Sequence, residues 1–194
     1  MMTHPAIESL TAFISISTEL KTLLSSKLTR QEYSPNQILV GGGQRATCIY
    51  FVEKGLLRSY YKRKSAEITR DFFQTGDFLI PPNFFRKTSC KDYIEAVDFT
   101  IVYTLIYEDL MEILKHHTEF HRSMLEILEY QYEKSMQRDQ FLRITSAVER
   151  YRLFHSRYKT VSELATLPMI SSYLNISRKH LSRVKNHEAF KKEK

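Results

Sequence analysis

The residues with the clearest chemistry lie near the C-terminus, on a helix that the sequence predicts to begin after Ser177. Serine is a favoured N-cap residue, because its hydroxyl accepts a hydrogen bond from a backbone N–H that the first helical turn leaves free. Leu181 and Val184 would bury the inner side of this helix. Its outer side is polar and basic, with Arg178, Lys179, Ser182, Arg183 and Lys185. Donors at the start of a helix suit the DNA major groove, where arginine binds guanine and lysine neutralises phosphate. We therefore predict that Ser177 and these five residues contact double-stranded DNA.

The segment before this helix supplies the second helix that such a motif needs. Pro168 suits the first turn of a short helix, and Ile170 and Leu174 give that helix one apolar face. Ser171 is small where a second helix must cross closely. Asn175 tolerates the left-handed backbone conformation of a tight interhelical turn. The pattern predicts a helix-turn-helix, and the alternative is an ordinary αα-hairpin with a solvated outer face.

Positive charge is concentrated at the same end of the chain. The formal net charge is +7 over 194 residues. Residues 1–137 hold 16 Lys and Arg against 17 Asp and Glu, whereas residues 138–194 hold 13 against 5. A basic terminal region is typical of nucleic-acid-binding proteins, because cations that neutralise phosphates release counterions.

Turn-forming residues divide the chain into a β-rich part and a helical part. All five glycines lie between Gly41 and Gly76, and residues 83–167 contain neither glycine nor proline. Runs of β-branched and aromatic residues predict strands at 48–52, 57–62, 68–73 and 99–106. Short strands separated by close turns favour a compact β-sandwich or barrel. An N-terminal helix should pack outside it through Ile7, Leu10, Phe13 and Ile14.

The helical part is predicted to contain a long helix from about 119 to 142. Apolar residues recur every fourth position along it, at Met124, Leu128, Tyr132 and Met136. A stripe of this kind suits packing against another helix or against the β domain. Because the helix is longer than a usual globular helix, we expect a partner helix. Packing within the chain is the alternative.

Three motifs follow one another along the chain: Gly43-x-x-Ala46-x-x-Ile49-Tyr50-Phe51-Val52-x-x-Gly55, Gly76-Asp77-Phe78-Leu79 and Ser177-Arg178-Lys179-His180-Leu181-Ser182-Arg183-Val184. They resemble the early β-roll hairpins, the glycine-aspartate turn and the recognition helix of the cyclic-AMP receptor protein/FNR (Crp/Fnr) superfamily of bacterial transcription regulators. The resemblance spans about residues 30–187. Lys179 stands where this family often has an acidic residue, so the half-site sequence should differ.

The resemblance implies an α+β fold in three parts. Residues 1–117 would form a cyclic-nucleotide-binding-like β-roll (jelly roll) with N-terminal helices, residues 118–143 a dimerisation helix, and residues 144–194 a (winged) helix-turn-helix domain. A β-wing would have to lie in residues 158–167 or be absent. The implied assembly is a homodimer that reads half-sites one DNA turn apart. RNA polymerase and a small-molecule effector are further implied partners.

The chain departs from the family where the family binds a cyclic nucleotide. Pro81-Pro82 removes backbone donors after the glycine-aspartate turn, and Glu95 would repel a phosphate, so cyclic AMP is not an expected ligand. Two cysteines are too few for an iron–sulfur cluster, and residues 29–106 contain no histidine. No cofactor or metal is expected.

An apolar or aromatic effector would need a pocket in or beside the roll. Candidates to line it are Tyr60, Phe72, Phe84, Tyr93 and, from the long helix, Tyr132. The alternative is that these aromatic side chains fill the core of the roll.

Other classes of protein fit the sequence less well. No apolar run is long enough to cross a bilayer, and residues 1–10 lack the features of a secretory signal, so we expect a cytoplasmic protein without membrane contact. No Ser/His/Asp or Cys/His grouping is recognisable, which argues against an enzyme. A small-ligand-binding regulatory module without DNA binding is the remaining alternative, but it would predict a neutral C-terminus.

Overall fold

The computed structural model describes residues 4–13 and 15–192. The N-terminal part comprises α1 (Pro5–Phe13) and α2 (Thr18–Lys27). The strands are β1 (Thr29–Tyr33), β2 (Ile38–Val40), β3 (Cys48–Lys54), β4 (Leu56–Arg63), β5 (Ala66–Gln74), β6 (Phe78–Leu79), β7 (Asp92–Ala96) and β8 (Thr100–Ile106). The helices that follow are α3 (Tyr107–His116), α4 (Thr118–Arg143), α5 (Ala147–Arg157), α6 (Lys159–Leu164), α7 (Leu167–Tyr173) and α8 (Arg178–Lys192).

The strands form two four-stranded antiparallel sheets that face each other across an apolar core. One sheet has the order β1-β8-β3-β6, and the other has the order β2-β7-β4-β5. Val52, Leu57 and Val102 are fully buried between them. This is the β-sandwich that the turn spacing predicts, and β5 is an edge strand of the second sheet.

Gly55 makes the tight connection between β3 and β4. Its φ is +99°, a conformation that residues with a side chain rarely adopt,. A Cβ at this position would also lie 2.6 Å from the carbonyl oxygen of Phe99. Only glycine therefore lets the chain pass from one sheet to the other here.

The N-terminal helices pack on the outside of the sandwich, as expected. Ile7 and Leu10 of α1 are buried in the same core as the first sheet. The other predicted members of this apolar face, Ile14 and the side chain of Phe13, lie outside the described part of the chain.

The long helix α4 has the predicted bounds, but its apolar row does not lie on a single surface. Met124 is buried against the sandwich, whereas Leu128, Tyr132 and Met136 are exposed. Four residues turn an α-helix by more than one full turn, so a row at this spacing winds around the helix axis. The predicted stripe therefore divides into one residue that is buried within the chain and three that are exposed.

The C-terminal helices α5 to α8 share a second core that also contains two residues of the sandwich. Phe154, Tyr173 and Leu181 lie at its centre, together with Leu56 and Phe72. The predicted wing segment is helical, because α6 occupies most of residues 158–167. No strand follows Ile106 among the residues that the structure describes, so that part of the chain has no β-wing.

Candidate nucleic-acid interface

Helices α7 and α8 are joined by a tight turn that the sequence encodes locally. Asn175 has a φ of 51°, in the left-handed region that asparagine tolerates,. Ser171 is buried, and its hydroxyl donates to the carbonyl oxygen of Pro168 at 3.0 Å. The small residue and the left-handed turn thus have the places that the sequence predicts for them.

Arg150 of α5 forms hydrogen bonds with the backbone of this turn. Its Nη1 donates to the carbonyl oxygen of Leu174 at 2.8 Å and lies 3.4 Å from that of Asn175. The last carbonyls of a helix have no partner within the helix, so a cation placed there satisfies them and also interacts favourably with the helix dipole. The sequence gives no sign of this contact, because Arg150 lies on a different helix.

Arg150→Met is expected to lower the free energy of unfolding by about 1–3 kcal/mol, because the bonds to these carbonyls are lost. Urea titration at a fixed protein concentration measures the change. Arg143→Met is the matched control, since Arg143 is exposed and pairs with Asp139 one turn away. An effect of Arg150→Met no larger than that of the control would contradict the role given to Arg150.

Helix α8 presents the basic surface that the sequence predicts. Ser177 is its N-cap, and its Oγ accepts a hydrogen bond from the backbone N–H of His180 at 3.2 Å. Leu181 and Val184 are buried in the second core. The exposed residues of its first two turns are Arg178, Lys179, His180 and Arg183, and Ser182 is half-buried.

The predicted residue Lys185 lies at the edge of this surface. It is three residues after Ser182, so the two are neighbours on the same side of the helix. Lys185 is half-buried, however, and lines a groove with Tyr151 and His155 of α5. Arg178, Lys179, Ser182 and Arg183 therefore lie nearest the Ser177 cap, and Lys185 lies farther along the helix, against α5.

The basic side chains at the start of α8 are not neutralised by acidic residues in the described part of the chain. No salt bridge in the described part of the chain includes Arg178, Lys179 or Arg183. Glu188, the acidic residue of the described part of this helix, binds Arg152 of α5 instead, with an Nε to Oε2 distance of 2.6 Å. The face is thus positively charged without internal neutralisation, as phosphate binding requires.

The five aromatic candidates for an effector pocket do not converge. Tyr60 stacks on Tyr93 with ring centroids 5.1 Å apart. Phe72 contacts Tyr173 in the second core, and Phe84 belongs to the first core. Tyr132 is 66% exposed. The structure therefore brings only Tyr60 and Tyr93 together.

A buried cation that sequence reasoning missed lies beside Glu95. Arg58 is its cross-strand partner, and the Nε to Oε1 distance is 2.9 Å. Arg58 also pairs with Glu67. Burial raises the pKa of the Glu95 carboxyl, although Arg58 acts in the opposite direction. Because both carboxylates bind Arg58, this cation is already neutralised within the chain.

A second buried ionic cluster joins α4 to the turn between β5 and β6. The Nζ of Lys134 lies 3.0 Å from Oδ2 of Asp77 and donates to the carbonyl oxygen of Phe72 at 2.9 Å. Tyr130 donates to the other carboxylate oxygen of Asp77 at 2.8 Å. Burial, assisted by Asp77, raises the pKa of Tyr130 to about 12. The glycine-aspartate turn therefore anchors α4 through side chains one turn apart.

Comparison with known proteins was made for the sequence and for the fold. Residues 30–117 match the family model of the cyclic nucleotide-binding domain, and no curated protein matches the chain in sequence. A protein from Eubacterium rectale assigned to the crp/fnr family of transcriptional regulators gives a TM-score of 0.74 at 19% identity, over 95% of this chain and 88% of that chain. FixK2 from Bradyrhizobium japonicum gives 0.73 at 18% identity, over 84% and 85%. The c-di-GMP responsive regulator CLP from Xanthomonas campestris gives 0.69 at 15% identity, over 89% and 92%.

The chain has the Crp/Fnr fold. The match to the E. rectale protein covers 95% of this chain, so the likeness includes the C-terminal helices as well as the β-roll. The likeness of fold predicted from the three motifs is confirmed, and so is the α+β class. In the described part of this Crp/Fnr fold, no helix is long and apolar enough to cross a membrane.

Proposed function

We propose that the chain is a sequence-specific DNA-binding transcription regulator that acts as a homodimer in the cytoplasm. The observation that carries the proposal is the exposed, unneutralised basic face of α8, set by a capped N-terminus and a left-handed turn. The chain shares its fold with the E. rectale protein, which is assigned to a family of transcriptional regulators, and with CLP, which is named a global regulator. Regulation rather than catalysis is therefore the proposed activity, with RNA polymerase and an effector as further proposed partners.

In this proposal α7 and α8 act as a helix-turn-helix. Arg178 and Arg183 bind guanine edges in the major groove, because a guanidinium offers two donors to the two acceptors of guanine. Ser177, Lys179 and Ser182 bind phosphates and fix the position of the helix on the duplex. Lys185 lies farther along the helix and is half-buried against α5, so it contributes mainly to the general positive field.

The dimer is proposed to form along α4. Its side toward the roll is fixed by Tyr130, Lys134 and the buried Met124, whereas Leu125 and Tyr132 on its other side are 65% and 66% exposed. Leu125, Leu128, Tyr132 and Met136 recur at spacings of three and four residues. Apolar residues at this spacing form the seam between two packed helices. A second copy of α4 is the partner that satisfies this pattern by symmetry.

Tyr132→Glu is expected to convert the dimer to a monomer at micromolar concentration, because it would place two like charges close together at the centre of an apolar seam. Sedimentation equilibrium of the intact chain measures the change. Met111→Glu on α3 is the matched control, since it puts the same charge at an exposed apolar position outside α4. A wild-type chain that sediments as a monomer would contradict the dimer.

The DNA-binding proposal is tested by selection of bound fragments from random duplex DNA. We expect enrichment of an inverted repeat, with affinity that falls steeply as the salt concentration rises. A ligand-binding module that does not use DNA would give neither enrichment nor salt-dependent binding. That result would contradict the proposal and favour the alternative.

A further inference from the structure

A run of three cations at the tip of the β4–β5 hairpin has no role in the function proposed above. Lys62, Arg63 and Lys64 are exposed, and no salt bridge in the described part of the chain includes them. They belong to the first 137 residues, which are otherwise slightly acidic. Three adjacent exposed cations form a local site for phosphate, whatever the charge of the surrounding domain.

The hairpin that carries these residues has a defined conformation. Arg63 pairs with Ala66 across the two strands, which leaves Lys64 and Ser65 as a two-residue turn. Lys64 has a φ of 54°, in the positive-φ region that the primed hairpin turns require at their first central residue. The cations therefore lie at a tight two-residue turn rather than in a long loop.

The edge of β5 is bound directly to α7. Ser172 of α7 donates to the carbonyl oxygen of Glu67 at 3.0 Å and accepts from the backbone N–H of Thr69 at 2.8 Å. Arg138 of α4 donates to the carbonyl oxygen of Thr69 at 3.2 Å. Side chains of the two helices thus occupy the backbone groups that an edge strand leaves free, and they fix the hairpin relative to α7.

This docking places the hairpin tip beside the first turn of α8. Ser65 and Ala66 line the same cleft as Ser177 and Arg178. Lys64 and Arg63 directly precede Ser65 in the chain. Because a strand advances about 3.3 Å per residue, both residues lie close to that cleft. The N-terminal end of a recognition helix is the end that reaches the base edges, so a duplex read by α8 would pass close to the hairpin tip.

The acidic residue nearest to the tip does not cancel its charge. Glu67 pairs with Lys62 across the strands, but its carboxylate binds the buried Arg58. Lys62 instead lies over the ring of Tyr93, with its Nζ 4.7 Å from the ring centroid. The outward field of the tip is therefore positive.

We propose that the tip of the β4–β5 hairpin is a second DNA-binding element, in which Arg63 and Lys64, with Lys62 beside them, bind phosphates next to the groove that α8 enters. The inference rests on the proposed function, because it requires α8 to lie on DNA. This contact would belong to the β-roll domain. The edge strand β5 positions the hairpin tip that makes the contact. The ligand is the phosphate backbone, so this contact adds affinity without sequence preference.

The test compares the double variant Arg63→Gln/Lys64→Asn with the wild type on a selected operator duplex. Asparagine tolerates the left-handed conformation of position 64, and both positions are exposed, so the unfolding midpoint should not change. A dimer would lose four phosphate contacts, and the slope of log affinity against log salt should become shallower by about 3.6. Affinity should fall at least about tenfold at physiological salt. The ratio of affinities for the operator and a scrambled duplex should stay unchanged.

The matched control removes two exposed lysines of α2 and α3 in Lys21→Gln/Lys115→Gln, which changes the net charge equally. Phosphate ethylation interference should show at least one position in each half-site that matters for the wild type and not for the hairpin variant. An unchanged salt slope, with loss of operator discrimination in Arg183→Ala, would overturn the hairpin contact and leave the DNA-binding proposal standing. A wild-type chain that binds no DNA would overturn both proposals.

Discussion

Arg183→Ala is expected to weaken operator binding by at least about 30-fold and to relax preference at one base pair in each half-site. Arg183 is exposed on the face of α8 and has no acidic partner in the described part of the chain. A bidentate arginine–guanine contact contributes about 1–3 kcal/mol to discrimination. Because a dimer has two such contacts, the loss is about 2–6 kcal/mol, and each 1.4 kcal/mol changes affinity about tenfold.

The measurement is equilibrium binding to the selected operator and to single-base variants of it. Arg45→Ala is the matched control, since Arg45 is equally exposed but lies in the loop before β3. It should change operator affinity only through net charge and should leave base preference intact. If Arg183→Ala kept both the affinity and the base preference of the wild type, α8 would not be the helix that reads the sequence.

Lys134→Ala is expected to lower the free energy of unfolding by about 3–5 kcal/mol, which is typical when one partner of a buried ion pair is removed. The side chains of Lys134 and Asp77 are 8% and 7% exposed. The variant leaves the Asp77 carboxylate and the carbonyl oxygen of Phe72 without their cation. Urea unfolding at a fixed protein concentration measures the effect, because dimerisation makes stability depend on concentration.

The pH dependence of this loss identifies its cause. Burial raises the pKa of the Asp71 carboxyl, and Lys134 counteracts part of that rise. An acid whose pKa is raised on folding contributes stability at low pH and loses it as pH rises through the folded-state pKa. Without Lys134 the pKa of Asp71 should rise further. The difference in stability between the wild type and Lys134→Ala should therefore shrink as pH falls from neutral towards 4.

Arg30→Ala is the control for this experiment, because Arg30 belongs to exposed pairs with Glu32 and Glu53. Exposed pairs contribute about 0–1 kcal/mol. A loss in Lys134→Ala as small as that of Arg30→Ala would contradict the role of the cluster as the anchor of α4. A loss that did not vary with pH would instead assign the effect to packing.

The parts of the molecule that the sequence predicts well are those determined by neighbouring residues. Ser177 caps α8 and Asn175 makes the left-handed turn, because caps and turns depend on the residue itself and a few beside it. The strands with uninterrupted β-branched and aromatic residues were predicted in the same way. By contrast, β1 is almost wholly polar and exposed, and it is a strand because it pairs with β8.

The contacts that the sequence did not predict join residues far apart in the chain. The pairs Arg58–Glu95 and Lys134–Asp77 are separated by tens of residues, and sequence spacing contains no information about such pairs. The surface on which each residue of the apolar row of α4 lies could not be predicted, for a different reason. Its spacing shows which residues are apolar, but which of them face the roll is decided by where Tyr130 and Lys134 bind the turn at Asp77.

The most direct test of a dimer that places two copies of α8 in successive major grooves is the dependence of affinity on half-site spacing. The selected inverted repeat would be compared with duplexes in which about 5 or about 10 base pairs are inserted between the half-sites. Five base pairs turn one half-site to the opposite face of the duplex, so we expect binding to fall to the level of a single half-site. Ten base pairs restore the face but exceed the reach of a rigid dimer, so partial recovery at most is expected. Equal affinity for all three spacings would contradict the account, because the two recognition helices would then not be held in a fixed relation to each other.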